Sequence, residues 1–276
     1  MMKLEQLLAR TLVGIILLIF TILILFPLGQ LFTYASKAGL GIFVDRLLSP
    51  EALAAIWLTI KIGLASTAVN VVIGTAVAFV LHRVDLPFKN VIDALVDIPL
   101  AIPTVVIGFA LLLLYGPAGW LGRFIDPETI QILFSFPGIL LAHIFFTFPF
   151  MVRAVGTSLS GFDQNYERAA KTLGASRLQT LVYITLPGIK TGLIAGSVLT
   201  FAKSVGEFGA TLMVSGNLIG RTQTGPLYIF SRFNTGDIEG ASAIALILAV
   251  FSFIILFCLR WLTSDKREVI RIDTIH

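Results

Sequence analysis

The sequence predicts an all-α polytopic membrane protein with about six transmembrane helices and a cytoplasmic loop between the fourth and the fifth. First, 57% of the 276 residues are hydrophobic and only 13% are charged, whereas a soluble domain carries roughly 25% charged residues. Second, the apolar residues are concentrated in runs close to the ~20 residues with which a helix crosses a bilayer. Third, the Lys and Arg residues are distributed unevenly among the segments that join these runs.

Each apolar run defines one predicted span. The first run is too long for the ~7–15 residues of a signal-peptide core and has no small-residue cleavage site, so it is predicted to be a retained span. The connecting segments are too short for a separate soluble domain, and residues 1–276 are therefore predicted to form a single transmembrane domain. The predicted spans are Leu12–Thr33, Ala54–Leu81, Val91–Leu114, Ile132–Val152, Ile189–Val214 and Ala241–Leu262.

Positive charge predicts which side of the membrane each segment faces. Thirteen of the 20 Lys and Arg residues lie in the N-terminal tail, the second-to-third loop, the fourth-to-fifth loop and the C-terminal tail, against five in the other connecting segments. Because cytoplasmic loops are enriched in Lys and Arg, both termini and the loop of residues 156–188 are predicted to be cytoplasmic. A membrane surface thus explains the net charge of +4 better than a nucleic acid does. The single cysteine, Cys258, excludes a disulfide framework within the chain.

The fourth-to-fifth loop has the pattern of a short amphipathic helix in an otherwise apolar chain. Four residues follow the i, i+3, i+4, i+7 spacing of one helix face, and the two in the middle are small enough to let a partner surface approach closely. Glu167 and Lys171 lie on another face, in the acid-first order that favours an i, i+4 pair. The residues of the apolar face are Tyr166, Ala169, Ala170 and Leu173.

A tight turn and a second helix are predicted to follow. Gly174 suits the left-handed position that ends a helix, and Ser176 and Gln179 fit a capping box that opens the next one. Pro187 is expected to stop that helix before the fifth span. An amphipathic connector resting on lipid headgroups is the alternative interpretation. A DNA-binding helix-turn-helix has a similar outline but is disfavoured, because the segment is tethered to the membrane at both ends.

The same stretch resembles a known family. "RAAKTLG" followed by "ITLP" is similar to the EAA loop of permease subunits of bacterial and archaeal ABC importers. In that family the loop forms a coupling helix that docks into a groove on a cytoplasmic ATPase. The resemblance assigns this role to Glu167, Arg168, Ala169, Ala170, Gly174, Ile184 and Pro187. Arg168 stands where the family usually has Glu, and Glu167 precedes it, which leaves open which side chain makes the charged contact to the ATPase.

Further segments resemble the permeases of sulfate, molybdate and tungstate importers. These are "IPLAIPTVVIGFALLLLYGPAGWLG", "FTFPFMVR", "SVGEFGATLMVSGN" and "GRTQTGPLYI". Sulfate or thiosulfate is the favoured substrate, with molybdate and tungstate close behind. The resemblance implies a second permease chain (a homodimer or a related heterodimer), two ABC ATPase subunits and an extracytoplasmic oxyanion-binding protein. It also implies a prokaryotic plasma membrane location.

No motif for ATP hydrolysis is found on the chain. The nearest piece, "PGIKTG" around Lys190, lacks the glycines of a P-loop, so ATP is expected to be used by partner subunits and no cofactor is expected here. An ion-gradient-driven secondary anion transporter is the alternative, but it would predict two similar halves. An intramembrane hydrolase has little support, because "GTSLSG" lacks G-x-S-x-G spacing and His143 is the one histidine within a span. The chain is predicted to be a translocation subunit and not an enzyme.

Four residues within the spans are candidates for the translocation pathway. Pro99 and Pro103 interrupt the third span, and either a gate or a packing kink would explain them. Lys203 and Glu207 lie four residues apart in the fifth span, at a depth where ionisable groups face an interior or a watery cavity. They are predicted to neutralise each other as an internal strut. The alternative is that Lys203 offers its charge to a passing oxyanion.

Other polar and small residues in the spans are expected to be structural. Asp93 and Asp97 are predicted to make an inter-helix contact, and His143 is predicted to be hydrogen-bonded without acting as a ligand. Gly192 and Gly196 form a G-x-x-x-G pattern, which favours close helix packing in lipid.

Overall fold

The computed structural model describes residues 2–37, 39–126 and 131–264, which are mostly helical and contain no β-strand. The predicted all-α class is confirmed for this part of the chain. The C-terminal segment with Lys266, Arg267 and Arg271, predicted to be cytoplasmic, lies outside the described residues. The helices are α1 (Met2–Phe20), α2 (Phe26–Ser36), α3 (Leu40–Leu47), α4 (Pro50–Arg83), α5 (Lys89–Ala101), α6 (Thr104–Tyr115), α7 (Phe136–Ser160), α8 (Asn165–Thr172), α9 (Arg177–Thr180), α10 (Leu186–Gly188), α11 (Lys190–Val205), α12 (Gly209–Ser215), α13 (Gly225–Asn234) and α14 (Ile238–Ser264).

Three irregular helical segments supplement this order. Thr21–Leu25 is π-helical and joins α1 to α2, so the first predicted span lies within one nearly continuous helical run. Leu181–Thr185, also π-helical, joins α9 to α10, and Gly122–Phe124 forms a 3-10 turn.

Four helical stretches are long and apolar enough to cross a membrane by themselves. They are Arg10–Ser36, Pro50–Arg83, Phe136–Ser160 and Ile238–Ile255, and they overlap the first, second, fourth and sixth predicted spans. Two bent helix pairs, α5–α6 and the pair Arg177–Gly188 with α11, would raise the number to six if each crosses once. The count of six therefore stays a prediction.

The fourth span is shifted relative to its predicted bounds. Helix α7 begins at Phe136 rather than Ile132, because Ser135 is its N-cap residue and Pro137 occupies its first turn, where a missing N–H is tolerated. It ends at Ser160 rather than Val152. Consequently the first residues of the predicted loop 156–188 are the last turn of a spanning helix.

The third span, predicted as the single helix Val91–Leu114, is two helices. Helices α5 and α6 are bent by 103° at the break between them. Pro99 lies inside α5, and Pro103 directly precedes α6. Pro103 has no N–H to donate to a continuous helix. It also forces the preceding residue, Ile102, into an extended conformation with ψ 133°. The predicted kink is thus a break between two helices that lie at slightly more than a right angle.

The fifth span, predicted over Ile189–Val214, is also interrupted. Helix α11 ends at Val205, and α12 begins at Gly209 after three intervening residues that include Glu207. A further bend of 68° separates the preceding helical run from α11. The apolar composition continues across the break at Gly206, so hydropathy alone predicts one span where the backbone has two helices.

Helices α4, α7 and α11 form the centre of the bundle. A Cβ atom added to Gly192 or Gly196 would collide with the side chains of Ser158 or Met151, so α11 approaches α7 through its two glycines. This confirms the packing interpretation of the G-x-x-x-G pattern. The first span lies at the periphery: its most apolar stretch is not buried within the chain at all, and α2 packs against α14.

Candidate functional site

The connector between α7 and α11 (residues 163–188) has the predicted turn. Helix α8 ends in a Schellman motif, in which Ala175 N–H donates to the Ala170 carbonyl and Gly174 N–H donates to the Lys171 carbonyl, each at 3.0 Å. Gly174 has φ +86°, a left-handed conformation that glycine adopts without a Cβ penalty. The predicted left-handed glycine is confirmed.

The second half of the connector begins with the predicted capping box. Ser176 Oγ accepts a hydrogen bond from Gln179 N–H at 3.2 Å, and Ser176 N–H donates to Gln179 Oε1 at 2.8 Å. The prediction that Pro187 stops this helix is wrong. Pro187 lies in the first turn of α10, where its missing N–H is tolerated, and the chain bends after it, at Ile189.

Glu167 anchors the connector to the end of α4. Its Oε1 lies 3.5 Å from Nη2 of Arg83 and accepts a hydrogen bond from Thr185 Oγ1 at 2.9 Å. The two charged side chains are only 12% (Arg83) and 16% (Glu167) exposed, so this pair is shielded from water. No ion pair joins Glu167 to Lys171 within the described residues, and the predicted i, i+4 pair is therefore wrong.

Arg168, one residue further along α8, is exposed. The two adjacent charged residues thus differ in environment: Glu167 holds α8 against α4, whereas the Arg168 side chain is exposed. Arg168 is thus the more accessible of the two side chains.

An apolar groove of about 590 Å³ runs between α8 and the π-helical segment that follows α9. Leu173 is 88% exposed, Tyr183 73% and Tyr166 64%, which is unusual for large apolar side chains on a charged segment. Helix α8 buries none of its residues. Exposed apolar patches that are rimmed by polar residues mark interaction sites. The groove is lined by Tyr166, Ala169, Ala170, Leu173, Gly174, Ala175, Gln179, Tyr183 and Ile184.

The predicted strut between Lys203 and Glu207 does not form. Lys203 lies in the last turn of α11, whereas Glu207 lies beyond the end of that helix. The i, i+4 argument requires a continuous helix, and the break at Gly206 removes it. Lys203 is exposed and its ammonium lies 5.5 Å from the centroid of the Phe150 ring, while Glu207 is buried at 5% exposure.

Glu207 instead stabilises the break between α11 and α12. Its Oε1 accepts a hydrogen bond from Ala210 N–H at 2.7 Å, and the Gly209 amide and the Thr104 hydroxyl also face this carboxylate. Glu207 thereby satisfies free amides at the start of α12. Because Thr104 opens α6 directly after Pro103, the carboxylate also links the two broken spans to each other.

A buried polar network connects four helices around His143. Nδ1 of His143 lies 2.6 Å from Ser204 Oγ on α11, and Nε2 lies 2.8 Å from Thr211 Oγ1 on α12. Ser204 in turn contacts Ser66 of α4 at 3.1 Å. The prediction of a hydrogen-bonded structural histidine is confirmed, and the network spans the break between α11 and α12.

Arg153 of α7 is bound by the two carboxylates of α5. It donates to both oxygens of Asp97 at 2.8 and 2.6 Å and to Asp93 Oδ1 at 2.7 Å. A bidentate arginine–carboxylate pair is among the stronger hydrogen-bonded contacts. The predicted inter-helix contact of Asp93 and Asp97 is confirmed, with Arg153 as the partner that the sequence did not identify.

Four side chains that complete these sites were not predicted from the sequence. Arg83 and Arg153 contribute to the positive charge that predicts the cytoplasmic side. Phe150 and Thr185 lie in the segments "FTFPFMVR" and "ITLP", which resemble the permease family, but neither observation predicts what these side chains contact. Each contacts a residue beyond the reach of helical spacing, at 18 positions for Thr185 and Glu167 and more for the others, so local periodicity could not identify these contacts.

Comparison with known proteins places this geometry among transport proteins. Residues 70–268 match the family model described as "Binding-protein-dependent transport system inner membrane component". The chain is similar to the sulfate transport system permease protein CysT of Synechococcus elongatus, with 38% identity over 88% of each chain. It is also similar to CysW of Escherichia coli K12, with 37% identity over 93% of this chain and 89% of the relative.

Solved structures share the fold at low sequence identity. A bacterial alginate ABC transporter, in complex with an alginate pentasaccharide-bound periplasmic protein, has a chain that matches with a TM-score of 0.77 at 18% identity, covering 95% of this chain and 96% of that one. An inward-facing structure of the MetNI methionine ABC transporter matches with a TM-score of 0.56 at 17% identity, over 77% of this chain and 94% of that one.

Proposed function

Because the chain belongs to the family of binding-protein-dependent transport system inner membrane components, we propose that it is the membrane-spanning subunit of an ATP-driven importer of a tetrahedral oxyanion. Family membership already makes it a permease subunit of the ABC importer class, not an enzyme, and a multi-pass membrane protein. The substrate, the energy source and the partners are the parts that we propose.

The exposed apolar groove of the connector carries the proposal of a separate ATPase. Leu173, Tyr166 and Tyr183 are exposed together around one groove, which favours a protein partner that covers them. The groove floor holds Ala169 and Ala170, which permit close approach, and the Gly174 turn together with the Glu167 anchor keeps its walls in place. Ile184 lines one wall, Pro187 follows in α10, and Arg168, next to Ala169 in sequence, supplies an exposed charge. ATP-driven movement of an ATPase bound here would reach α4 through Glu167 and Arg83.

Sulfate is the substrate best supported by the relatives, since those compared above are named as sulfate transport system permeases. Thiosulfate shares the tetrahedral shape and the charge of sulfate, and molybdate and tungstate remain the alternatives to be tested. An extracytoplasmic binding protein would deliver the anion, and a second permease chain would complete the pathway.

The proposed complex lies in the prokaryotic plasma membrane with the connector and both termini on the cytoplasmic side. The broken spans are the proposed moving parts of the pathway, with Pro103 and Glu207 at their breaks and Pro99 in the last turn of α5. An ion-gradient-driven secondary transporter is disfavoured by the family match.

Deleting this gene is expected to abolish initial uptake of radiolabelled sulfate in cells that retain the partner subunits. Uptake should return when the gene is restored, and it should resist a low concentration of molybdate. Absent sulfate uptake together with gene-dependent accumulation of molybdenum would move the protein to the molybdate and tungstate branch. No gene-dependent uptake of either anion would contradict the proposed substrate class.

A further inference from the structure

One side of α7 carries an aromatic and cationic stripe that faces away from the core of the chain. Phe146, Phe150, Arg153 and Thr157 follow the i, i+4, i+7, i+11 spacing of a single helix face. The first three are partly exposed and Thr157 is exposed, whereas the neighbouring Met151 is fully buried. This stripe is therefore a surface of the isolated chain that lies along a membrane-spanning helix.

Lys203 adds a cation to this stripe near the middle of the span. Its Nζ lies 5.5 Å from the centroid of the Phe150 ring. Phe150 is ~21 Å along α7 from Phe136 and ~15 Å from Ser160, at a rise of about 1.5 Å per residue. A helical side chain leans towards the N-terminus of its own helix, which brings the Lys203 ammonium back to this depth from its position near the end of α11.

The charge of Lys203 is not neutralised within the chain. Among the described residues no carboxylate oxygen lies within 4.0 Å of its ammonium. The Phe150 ring can orient an ammonium through a cation–π contact, but it leaves the positive charge in place. An exposed, uncompensated lysine at this depth is costly against lipid, so such residues face a bundle interior or a watery cavity.

One helical turn closer to the cytoplasmic end of the stripe, a cluster of charged groups has a net charge opposite in sign to that of Lys203. Arg153 is bound by Asp93 and Asp97, and with all three groups ionised the cluster carries one net negative charge. An anion that moves inwards along the stripe would therefore meet an attractive charge at Lys203 and then a repulsive cluster. Because Asp93 and Asp97 belong to α5, movement of α5 away from α7 would expose Arg153 and remove this barrier.

We propose that the α7 stripe with Lys203 borders an aqueous anion pathway, in which Lys203 is the attractive point for a divalent tetrahedral oxyanion and the Arg153–Asp93–Asp97 cluster is the barrier below it. This inference rests on the proposed function. A single cation held over an aromatic ring makes a weak site, as conduction requires, since an anion that bound tightly would not leave. A second permease chain would close the pathway on the opposite side.

Lys203→Gln is the direct test, with initial sulfate uptake measured in cells that carry the native partner subunits. Because attractive charge in a cleft raises encounter rates about 10-fold or more, the variant should lose at least about 10-fold in uptake per copy of membrane-inserted protein. Lys203→Arg should keep most of the activity. Lys61→Gln is the matched control, because the Lys61 ammonium also lies over an aromatic ring, 5.1 Å from the centroid of Trp57, but contacts a ring of α4 and not one of the α7 stripe.

The outcomes separate this inference from the proposed function. Failure of the wild-type protein to transport sulfate would contradict the proposed function itself. Wild-type transport with equal rates for Lys203→Gln and Lys61→Gln would overturn the role of Lys203 alone.

A second measurement applies even if Lys203→Gln fails to accumulate in the membrane. Phe146→Cys is placed in a Cys258→Ser background, so that it carries the sole thiol of this chain. In the assembled importer this thiol should react with a sulfonate-bearing methanethiosulfonate reagent. Added sulfate should slow this reaction. A thiol that stays unreactive both with and without ATP would show that the stripe does not face water and would overturn the inference.

Discussion

Leu173→Glu is expected to abolish ATP-driven transport by preventing the ATPase from binding to the connector. Leu173 is 88% exposed in the chain, so the substitution should leave the fold of the permease intact. Fully burying a leucine side chain contributes about 1.5–3 kcal/mol, and each 1.4 kcal/mol corresponds to about a tenfold change in affinity. Loss of this contact, together with a buried carboxylate, should weaken ATPase binding by at least about 30-fold. The measurement is ATPase co-purification in mild detergent, combined with sulfate uptake.

Thr172→Glu is the matched control for this substitution. It adds the same charge to the same exposed turn, but Thr172 does not line the groove. Normal ATPase recovery with Thr172→Glu and loss with Leu173→Glu would support docking in the groove. Full ATPase recovery with both variants would contradict it and would favour a connector that merely rests on lipid headgroups.

His143→Leu is expected to destabilise the bundle around the break between α11 and α12. The substitution removes the hydrogen bonds of His143 to the hydroxyls of Ser204 and Thr211, and only Ser204 keeps another partner, Ser66. An inter-helix hydrogen bond in a membrane protein contributes about 0.6–1.7 kcal/mol, so losing both should lower the free energy of unfolding by about 1–3 kcal/mol. The thermal unfolding midpoint in detergent should fall accordingly, and transport should fall with it.

A double-mutant cycle with Thr211→Val separates the hydrogen bond from simple loss of packing. Thr211→Val removes one of the two partners and nearly preserves the side-chain shape. If the network acts as described, the double variant should be less destabilised than the sum of the two single variants. Strict additivity, or an unchanged unfolding midpoint for His143→Leu, would show that the histidine does not hold this region together.

The connector could be predicted from the sequence because its determinants are local. A left-handed glycine and a capping box each depend on residues within a few positions of one another. The structure confirms both at Gly174 and Ser176. The predicted apolar face of α8 lines the groove, whereas the contribution of Tyr183 and Ile184 to it was not predicted.

The sites within the bundle could not be predicted in the same way because their partners are far apart in the chain. His143 and Ser204 are separated by 61 residues, Arg153 and Asp97 by 56, and Arg83 and Glu167 by 84. Periodicity predicts the face of a helix on which a residue lies, but not which helix packs against that face.

The incorrect prediction of a Lys203–Glu207 strut has a specific physical cause. It assumed a continuous helix through Gly206, whereas the chain leaves the helix there and Glu207 binds free amides at the start of α12. Hydropathy is insensitive to such a break, because the residues on both sides of it are apolar. The same limitation explains why the 103° bend between α5 and α6 was predicted only as a kink.

Site-directed crosslinking from the connector tests the central claim most directly. Leu173→Cys in a Cys258→Ser background would carry a thiol-linked photoreactive group in membranes that contain the native partner subunits. The control is Ile219→Cys in the same background. Ile219 is 62% exposed in the wild-type chain and lies outside the connector. A crosslinked product containing the ATPase from position 173, and none from position 219, is the predicted result. Crosslinking of position 173 to lipid alone would contradict the account.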